Sequence, residues 1–197
     1  VEATFAEEEV VSTLPFDDVD VDDWFYDAVE YAYENDLMNG VSSDEFDPNG
    51  TLTRGMMVTV LYRLEGEPES RADLPFEDVE PGTWYTEAVR WAVDEGIVLG
   101  TSDTTYEPDA MITREQLATM LYRYAAYKDY DTTQGGMAIR EFEDYEEISD
   151  WALEGLDWAV NAELVNGKEN NLLDPTGSAT RAETATLHMR FNETFEA

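Results

Sequence analysis

Apolar residues recur along this chain with the spacing of one helix face, in three pairs of segments. In the first segment, DWFYDAVEYAYENDLMNG, Trp24, Ala28, Tyr31 and Ala32 fall at i, i+4, i+7 and i+8, which is a helical period. The same pattern occurs twice more, at Trp84, Ala88, Trp91 and Ala92, and at Trp151, Gly155, Trp158 and Ala159. It predicts a helix at each place, with the tryptophan at the head of its buried face.

The second segment of each pair begins with Thr-Arg and also has one apolar face. Threonine is a favoured N-cap, because its hydroxyl accepts a hydrogen bond from the first helical turn. The three capping threonines are Thr53, Thr113 and Thr180. The apolar faces after them are Met57, Val60, Leu61 and Leu64; Leu117, Met120, Leu121 and Tyr124; and Thr184, Leu187, His188 and Phe191. The pattern predicts helix–loop–helix three times, an all-α fold.

The three units are copies of one internal repeat. Each capping Thr has a Pro five residues upstream, a Gly 13 residues upstream and a Trp 29 residues upstream. These positions are Pro48, Pro108 and Pro175; Gly40, Gly100 and Gly167; and Trp24, Trp84 and Trp151. A unit this small cannot bury its own faces, so the units must pack on one another. We place the repeats at 14–66, 74–127 and 139–195, after an acidic lead-in at 1–13.

The charge of the chain limits its partners. With 46 Asp and Glu against 11 Lys and Arg, the formal net charge is −35 at pH 7, which opposes binding to nucleic acid and anionic membranes. There is no cysteine, so disulfides and thiol chemistry are excluded. No apolar run approaches the ~18 residues of a transmembrane helix. The chain starts at Val1 without a basic and apolar leader, so we expect a signal peptide already removed, or an excerpt.

The repeat resembles the S-layer homology (SLH) domain. The similar features are Phe-x-Asp-Val, the Trp with Ala-Val four residues on, the loop Gly, an aromatic-x-Pro segment, and a closing Thr-Arg-Ala-Glu that is intact at 180–183. The closing motif is altered at 53–56 (TRGM) and at 113–116 (TREQ), so the three sites are not expected to be equivalent.

The resemblance implies a fold and a function. Three such repeats form a compact pseudo-threefold assembly. They anchor exported proteins non-covalently to anionic secondary cell-wall polysaccharide, typically carrying pyruvate ketals. The binding grooves lie between neighbouring repeats, and the arginines of the Thr-Arg motif contribute to them. The implied location is the cell wall or surface layer, other surface-layer proteins are further candidate partners, and no cofactor is expected.

By motif position, the ligand role falls on Arg54, Arg114 and Arg181. An arginine at a helix start opposes the helix dipole. Together with the unsatisfied N–H groups there, however, it makes a site for a carboxylate. The alternative is structural: the arginines pair with the repeated acids and brace neighbouring repeats. Those acids are Asp18, Asp78 and Asp144.

Three further arginines recur late in the second helices, where a cation favours the dipole. They are Arg63, Arg123 and Arg190. We interpret them as structural.

Other candidate ligand residues accompany the motif arginines. They are Thr53, Thr113 and Thr180; Gly40, Gly100 and Gly167; Trp24, Trp84 and Trp151; and Glu183. For the tryptophans, core packing is the first expectation and stacking on a sugar ring the second. For the glycines, a special backbone conformation, often a positive φ, comes before close approach of a ligand. His188 aligns with Leu61 and Leu121, so we expect it to be packed and hydrogen-bonded.

The acidic stretch DDVDVDDW at 17–24 invites comparison with a calcium loop. An EF-hand counted from Asp18 requires Gly at position 6 and Glu at position 12, where this chain has Asp23 and Val29. The stretch is therefore not an EF-hand, only weak cation binding remains open, and no metal site is expected.

The helix caps predict a ranking of the motif arginines. Thr180 with Glu183 forms a capping box, and Thr113 with Gln116 a weaker one. Thr53 faces Met56 and forms none, and a glycine follows Arg54 in that first turn. We therefore expect the arginines after Thr113 and Thr180 to contribute more to binding than Arg54.

Three functions follow from these patterns. The leading hypothesis is anchoring to anionic wall polysaccharide. The alternative is a protein–protein assembly module of a surface layer without its own glycan site. An enzyme is disfavoured, because no unique pair of acids stands out and a triplicated motif suits multivalent binding.

Overall fold

The structure, a computed structural model, describes residues 13–196. The acidic lead-in predicted at 1–13 therefore lies outside the described residues, except for Thr13. The described part contains six α-helices, two for each repeat: α1 Tyr26–Glu34, α2 Arg54–Leu64, α3 Thr86–Asp94, α4 Arg114–Tyr127, α5 Leu153–Asn161 and α6 Arg181–Phe195. Over this range β-pairing is limited to isolated bridges, and no helix has the length and apolarity needed to span a bilayer. The predicted all-α fold is confirmed.

The helices pack mainly between repeats. Helix α3 of the second repeat lies against α2 of the first, α5 against α4, and α1 against α6. The third repeat thus returns to the first, and the three interfaces close into a ring. This is the predicted pseudo-threefold assembly.

A closed cycle of backbone hydrogen bonds links the segments before the second helices. The N–H of Leu52 donates to the carbonyl of Ala179 at 3.3 Å, that of Ala179 to Ile112 at 3.0 Å, and that of Ile112 to Leu52 at 2.9 Å. All three side chains are buried. Because each repeat supplies one donor and one acceptor, the cycle is complete only when all three repeats are present.

The start of each second helix is also fixed by a neighbouring repeat. The N–H groups of Arg54 and Gly55 donate to the carbonyls of Ala110 at 2.9 Å and Pro108 at 2.8 Å. Equivalent pairs are Arg114 to Gly177, Glu115 to Pro175, Arg181 to Gly50 and Ala182 to Pro48. The expectation of unsatisfied N–H groups at these helix starts is therefore wrong, because loop carbonyls of the next repeat already take them.

The predicted caps are present. Thr53 accepts a hydrogen bond from the N–H of Met56 without a reciprocal bond, whereas Thr113 with Gln116 and Thr180 with Glu183 form complete capping boxes. Gly55 does more than loosen the first turn of α2. A Cβ there would lie 3.0 Å from the Pro108 carbonyl oxygen, so its small size permits the close contact with the second repeat.

The predicted apolar faces form the core, with one error at their start. Trp91 and Trp158 are each only 1% exposed. By contrast, Trp24, Trp84 and Trp151 are 68%, 59% and 53% exposed, so core packing, the first expectation for them, is wrong. The helices begin two residues after each of these tryptophans, which places the indole in the preceding turn. The residue after it turns inward instead: Phe25, Tyr85 or Ala152.

The loop glycines are needed for close packing rather than for a positive φ. A Cβ on Gly40 would lie 2.5 Å from the Phe16 ring. Gly100 faces Phe76, and Gly167 faces Phe142, in the same way. The left-handed residues stand four positions earlier, just past each first helix: Asp36, Gly96 and Glu163, with φ between 57° and 70°. The positive φ expected at Gly40, Gly100 and Gly167 is therefore wrong; the phenylalanine of each repeat excludes a side chain there.

His188 is packed but not hydrogen-bonded. It is 1% exposed, and neither ring nitrogen has a hydrogen-bond partner within residues 13–196. The expected hydrogen bond is therefore wrong; His188 occupies the position where the other repeats have the buried Leu61 and Leu121. Burial lowers the pKa of His188 to about 4, so the folded protein keeps it neutral.

We predict that a fragment ending at Ala126 folds poorly. It lacks α5 and α6, so α1 and α4 lose their partners and the backbone cycle is broken. Reduced helicity and a broad thermal transition, measured by circular dichroism, are the expected result. A cooperative melt with the helicity of two complete repeats would contradict the interlocked packing.

We predict that His188→Leu removes a pH-dependent loss of stability. The unfolded histidine binds a proton below its ordinary pKa of ~6.5, while the folded one stays neutral until about pH 4. Stability linked to this group is therefore lost as pH falls through that window. Relative to wild type, the leucine variant should gain on the order of 3 kcal/mol between pH 6.5 and pH 4. Urea unfolding at several pH values measures the difference, and parallel pH profiles would refute it.

Candidate functional site: the grooves between repeats

The three motif arginines are buried, and each reaches into a loop of the next repeat. Their exposed fractions are 5%, 7% and 8%. Arg54 donates through Nε to the carbonyl of Tyr106 at 2.8 Å and through Nη2 to that of Leu99 at 3.1 Å. The equivalent bonds run from Arg114 to Leu173 and Asn166, and from Arg181 to Phe46 and Asn39. The same brace therefore holds all three joints.

The repeated aspartates hold the same loop segment from within its own repeat. The carboxylate of Asp18 accepts hydrogen bonds from the N–H groups of Phe46 at 2.8 Å and Asp47 at 2.7 Å. Asp78 and Asp144 bind the matching N–H groups at 106–107 and 173–174. At Phe46, therefore, Arg181 binds the backbone carbonyl and Asp18 binds the backbone N–H.

The direct Arg–Asp ion pairs considered from the sequence are not formed among the described residues. Repeats are braced through the loop backbone instead: the carbonyls and N–H groups at this bend need hydrogen-bond partners, and the arginine and the aspartate supply them.

One guanidinium nitrogen of each arginine remains after these two bonds. Nη1 of Arg114 donates to Oε1 of Glu183 at 2.7 Å. For Arg54 and Arg181, Nη1 has no hydrogen-bond partner within residues 13–196, although their guanidinium groups lie over the rings of Tyr106 and Phe46. Only this edge of the motif arginines is left to meet a ligand.

A groove of ≈ 380 Å³ lies between the first and second repeats, and we call it groove A. Arg54 forms its floor from the first repeat, and the exposed Trp151 reaches it from the third. The remaining lining residues belong to the second repeat: Leu99, Gly100, Thr101, Gln116, Thr119, Met120 and Arg123. Two arginines and no carboxylate line groove A.

A second groove, groove B, has a volume of ≈ 310 Å³ and lies between the second and third repeats. Five of its lining residues are the repeat equivalents of residues that line groove A. They are Arg114 for Arg54, Gly167 for Gly100, Glu183 for Gln116, Arg190 for Arg123 and Trp24 for Trp151. Its loop also carries Lys168 in place of Thr101. Groove B therefore contains three cations and one carboxylate.

At the third interface, the equivalent positions carry Arg181, Val41, Met56, Arg63 and Trp84. Val41 and Trp84 are exposed, and Met56 is at the edge of exposure. Two polar positions of grooves A and B are thus apolar here: Val41 replaces Thr101 or Lys168, and Met56 replaces Gln116 or Glu183.

The structure brings together most of the predicted site residues. The motif arginines, loop glycines and exposed tryptophans from three different repeats meet in each of grooves A and B. The capping threonines do not line these grooves; they hold the helix starts beneath them. Glu183 does line groove B.

Sequence reasoning missed the late arginines as groove residues. Arg123 lines groove A and Arg190 lines groove B. Arg123 is half-buried, burial lowers its pKa, and within residues 13–196 it makes no hydrogen bond or ion pair. The helical spacing in the sequence could have placed Arg123 in the groove, because Gln116, Met120 and Arg123 stand at i, i+4 and i+7 and so share a helix face.

Two carboxylates of the acidic stretch at 17–24 accept hydrogen bonds from backbone N–H groups of the protein itself. Asp18 binds the loop backbone as described, and Asp23 accepts from the N–H of Asp20 at 2.9 Å. Within the described range no group of three or more acidic or histidine side chains is placed to hold a metal ion.

Comparison with known proteins identifies the repeat. The family model of the S-layer homology domain matches residues 15–56, 75–118 and 141–185. The chain is 32% identical, over 84% of its length, to an amylopullulanase of Thermoanaerobacterium thermosulfurigenes. It is 28% identical over 87% to the surface-layer 125 kDa protein of Lysinibacillus sphaericus, and 30% identical over 57% to a cellulosome-anchoring protein of Acetivibrio thermocellus.

The chain spans 9%, 14% and 26% of these three relatives, so it corresponds to one part of much longer proteins. The resemblance seen in the motifs is confirmed at all three positions of the repeat. With three tandem matches and a closed ring of three helix–loop–helix units, the chain belongs to the S-layer homology domain family.

Proposed function

We propose that this chain anchors an exported bacterial protein non-covalently to the cell wall by binding an anionic, pyruvylated polysaccharide in the grooves between repeats. Membership of the SLH family supports cell-wall anchoring as the general role. Relatives named as a surface-layer protein and as a cellulosome-anchoring protein support the same role and a location at the cell surface. The finer proposal rests on one observation: groove A is lined by two arginines and no carboxylate, in a chain of net charge −35.

The chemistry of the grooves suits a carboxylate on a sugar. A guanidinium group can donate two parallel hydrogen bonds to one carboxylate, and such charge-assisted bonds gain strength where water is excluded. The half-exposed indole of Trp151 offers an apolar face at the same groove, on which a pyranose ring can stack. A pyruvate ketal supplies both parts, since it fixes one carboxylate to a sugar ring.

The module supplies attachment rather than catalysis in this proposal. Two related grooves on one closed ring of repeats allow a polymer to engage both of them, which raises its overall affinity by effective concentration. A single active site has no use for such repetition. The enzymatic names of some relatives describe those longer proteins.

A surface-layer assembly module without a glycan site is the alternative, and stripping the wall separates the two. We predict that the chain sediments with purified wall sacculi and no longer does so after mild acid removes the anionic polymer. Self-association, measured by analytical ultracentrifugation, should be unaffected by that treatment. Undiminished binding to stripped sacculi would favour the assembly function.

We predict that Arg123→Ala weakens binding to purified wall polymer about tenfold, as expected for the loss of one charge-assisted contact. Arg123 is the better target than Arg54, because Arg54 also braces the loop of the next repeat and its removal would disturb the fold. Isothermal titration against the polymer measures the effect.

The control is Arg140→Ala. It removes the same charge from an exposed arginine that lines neither groove. Equal weakening by both substitutions would mean that overall charge, rather than groove A, controls binding.

A further inference from the structure

We infer that the third residue of each second helix determines which groove takes an anion, and that groove A, where this residue is Gln116, is the principal site. Groove B has Glu183 at the same position, and the third interface has Met56. The inference rests on the proposed function and specifies its site. It assigns Glu183 a second role beyond capping α6, as a resident carboxylate that competes with the ligand.

In groove B two of the three cations, Arg114 and Lys168, are already paired with carboxylates. Oε1 of Glu183 lies 2.7 Å from Nη1 of Arg114 and 3.6 Å from Nζ of Lys168. Lys168 also contacts Asp174 at 2.7 Å. The Arg114 and Glu183 side chains are only 9% and 21% exposed, so water screens their attraction weakly. A ligand carboxylate that binds Arg114 must displace Glu183 or share the guanidinium with a like charge.

Groove A lacks this competitor and keeps its donors. Arg54 is 95% buried and its Nη1 has no hydrogen-bond partner in the described part of the chain. Gln116 uses its amide oxygen to accept from the N–H of Thr113 at 3.3 Å, so its NH₂ group remains a donor. Arg123 adds a second guanidinium without a carboxylate partner over the same range. Three donors and two positive charges are therefore available to one anion.

The third interface is weaker for a different reason. Met56 provides neither a competing carboxylate nor a donor. Val41 stands where groove A has Thr101 and groove B has Lys168, so this interface lacks a second polar side chain as well. Arg181 accordingly serves mainly as a brace.

This ranking replaces the one drawn from the caps. The caps differ as predicted, but all three helix starts are held by backbone bonds from a neighbouring repeat. Preorganisation is therefore similar at the three sites, and the side chain facing the arginine makes the difference.

The test exchanges the two residues in the full chain. Gln116→Glu and Glu183→Gln both keep a side chain that can complete the capping box, as glutamate does at 183 and glutamine at 116. The double exchange also keeps the net charge at −35. The probe is a methyl hexoside that carries one pyruvate ketal, titrated calorimetrically, with its neutral methyl ester as the control ligand.

We expect Gln116→Glu to weaken the dominant binding event about tenfold, the equivalent of one charge-assisted contact. Gln134→Glu adds the same charge in an exposed linker and should leave the affinity unchanged. Glu183→Gln should strengthen a second, weaker event. In the double exchange the tight site should move to groove B, so that Arg190→Ala, and no longer Arg123→Ala, reduces binding. The neutral ester should show none of these changes.

Two results would overturn the inference, and they are distinguishable. If acid-sensitive binding to wall sacculi persists but neither exchange alters ketal affinity, the grooves are not ranked by this residue and the proposed function stands. If wild-type protein binds neither sacculi nor the ketal, the proposed function fails and the inference fails with it. Thermal melts of each variant ensure that a lost signal does not come from unfolding.

Discussion

The fold depends on a buried arginine that crosses from one repeat into the loop of the next. Arg54, Arg114 and Arg181 each bind two backbone carbonyls of a neighbouring loop. An aspartate of that repeat accepts hydrogen bonds from two consecutive N–H groups at the same bend. Burying a guanidinium is costly unless its donors are satisfied, so the arginine is stable only when the next repeat is in place. Since this requirement runs around the ring, no repeat is complete without the other two.

The same brace creates the candidate binding sites. Because the arginine must cross a joint, its remaining Nη1 edge lies where two repeats meet, and the tryptophan of the third repeat reaches that place. The bracing role and the proposed ligand-binding role are therefore compatible. The brace uses Nε and Nη2 of the arginine, and the proposed ligand contact would use Nη1. Truncating the arginine removes both at once, which is why residues such as Arg123 are the informative ones to change.

Much of the architecture could be predicted from the sequence, because helices and their caps depend on the spacing of apolar residues and on short local motifs. The helical spacing of apolar residues, the Thr caps and the fixed Gly and Pro positions gave the six helices and their capping boxes. The exposure of Trp24 could not be predicted that way, since a two-residue shift of the helix start moves a side chain off the buried face. The partners of Arg54 were equally hidden, because backbone carbonyls leave no mark in the sequence. The sequence predicted Gln116 and Glu183 only as members of helix caps. It could not show that each shares a groove with an arginine of another repeat, because that proximity arises only when the ring of repeats closes.

The net charge of −35 opposes the proposed binding of an acidic polymer, but screening limits this repulsion to short distances. At physiological ionic strength, charges separated by more than a Debye length of about 8 Å are largely screened when exposed. Most of the 46 acidic residues therefore act weakly on a groove, and partly buried neighbours dominate. In groove B one such neighbour, Glu183, is in contact with the arginine, whereas no acidic residue lines groove A. We therefore expect a single amide in place of a carboxylate to influence anion binding more than the charge of the whole surface does, while the brace beneath the groove stays intact.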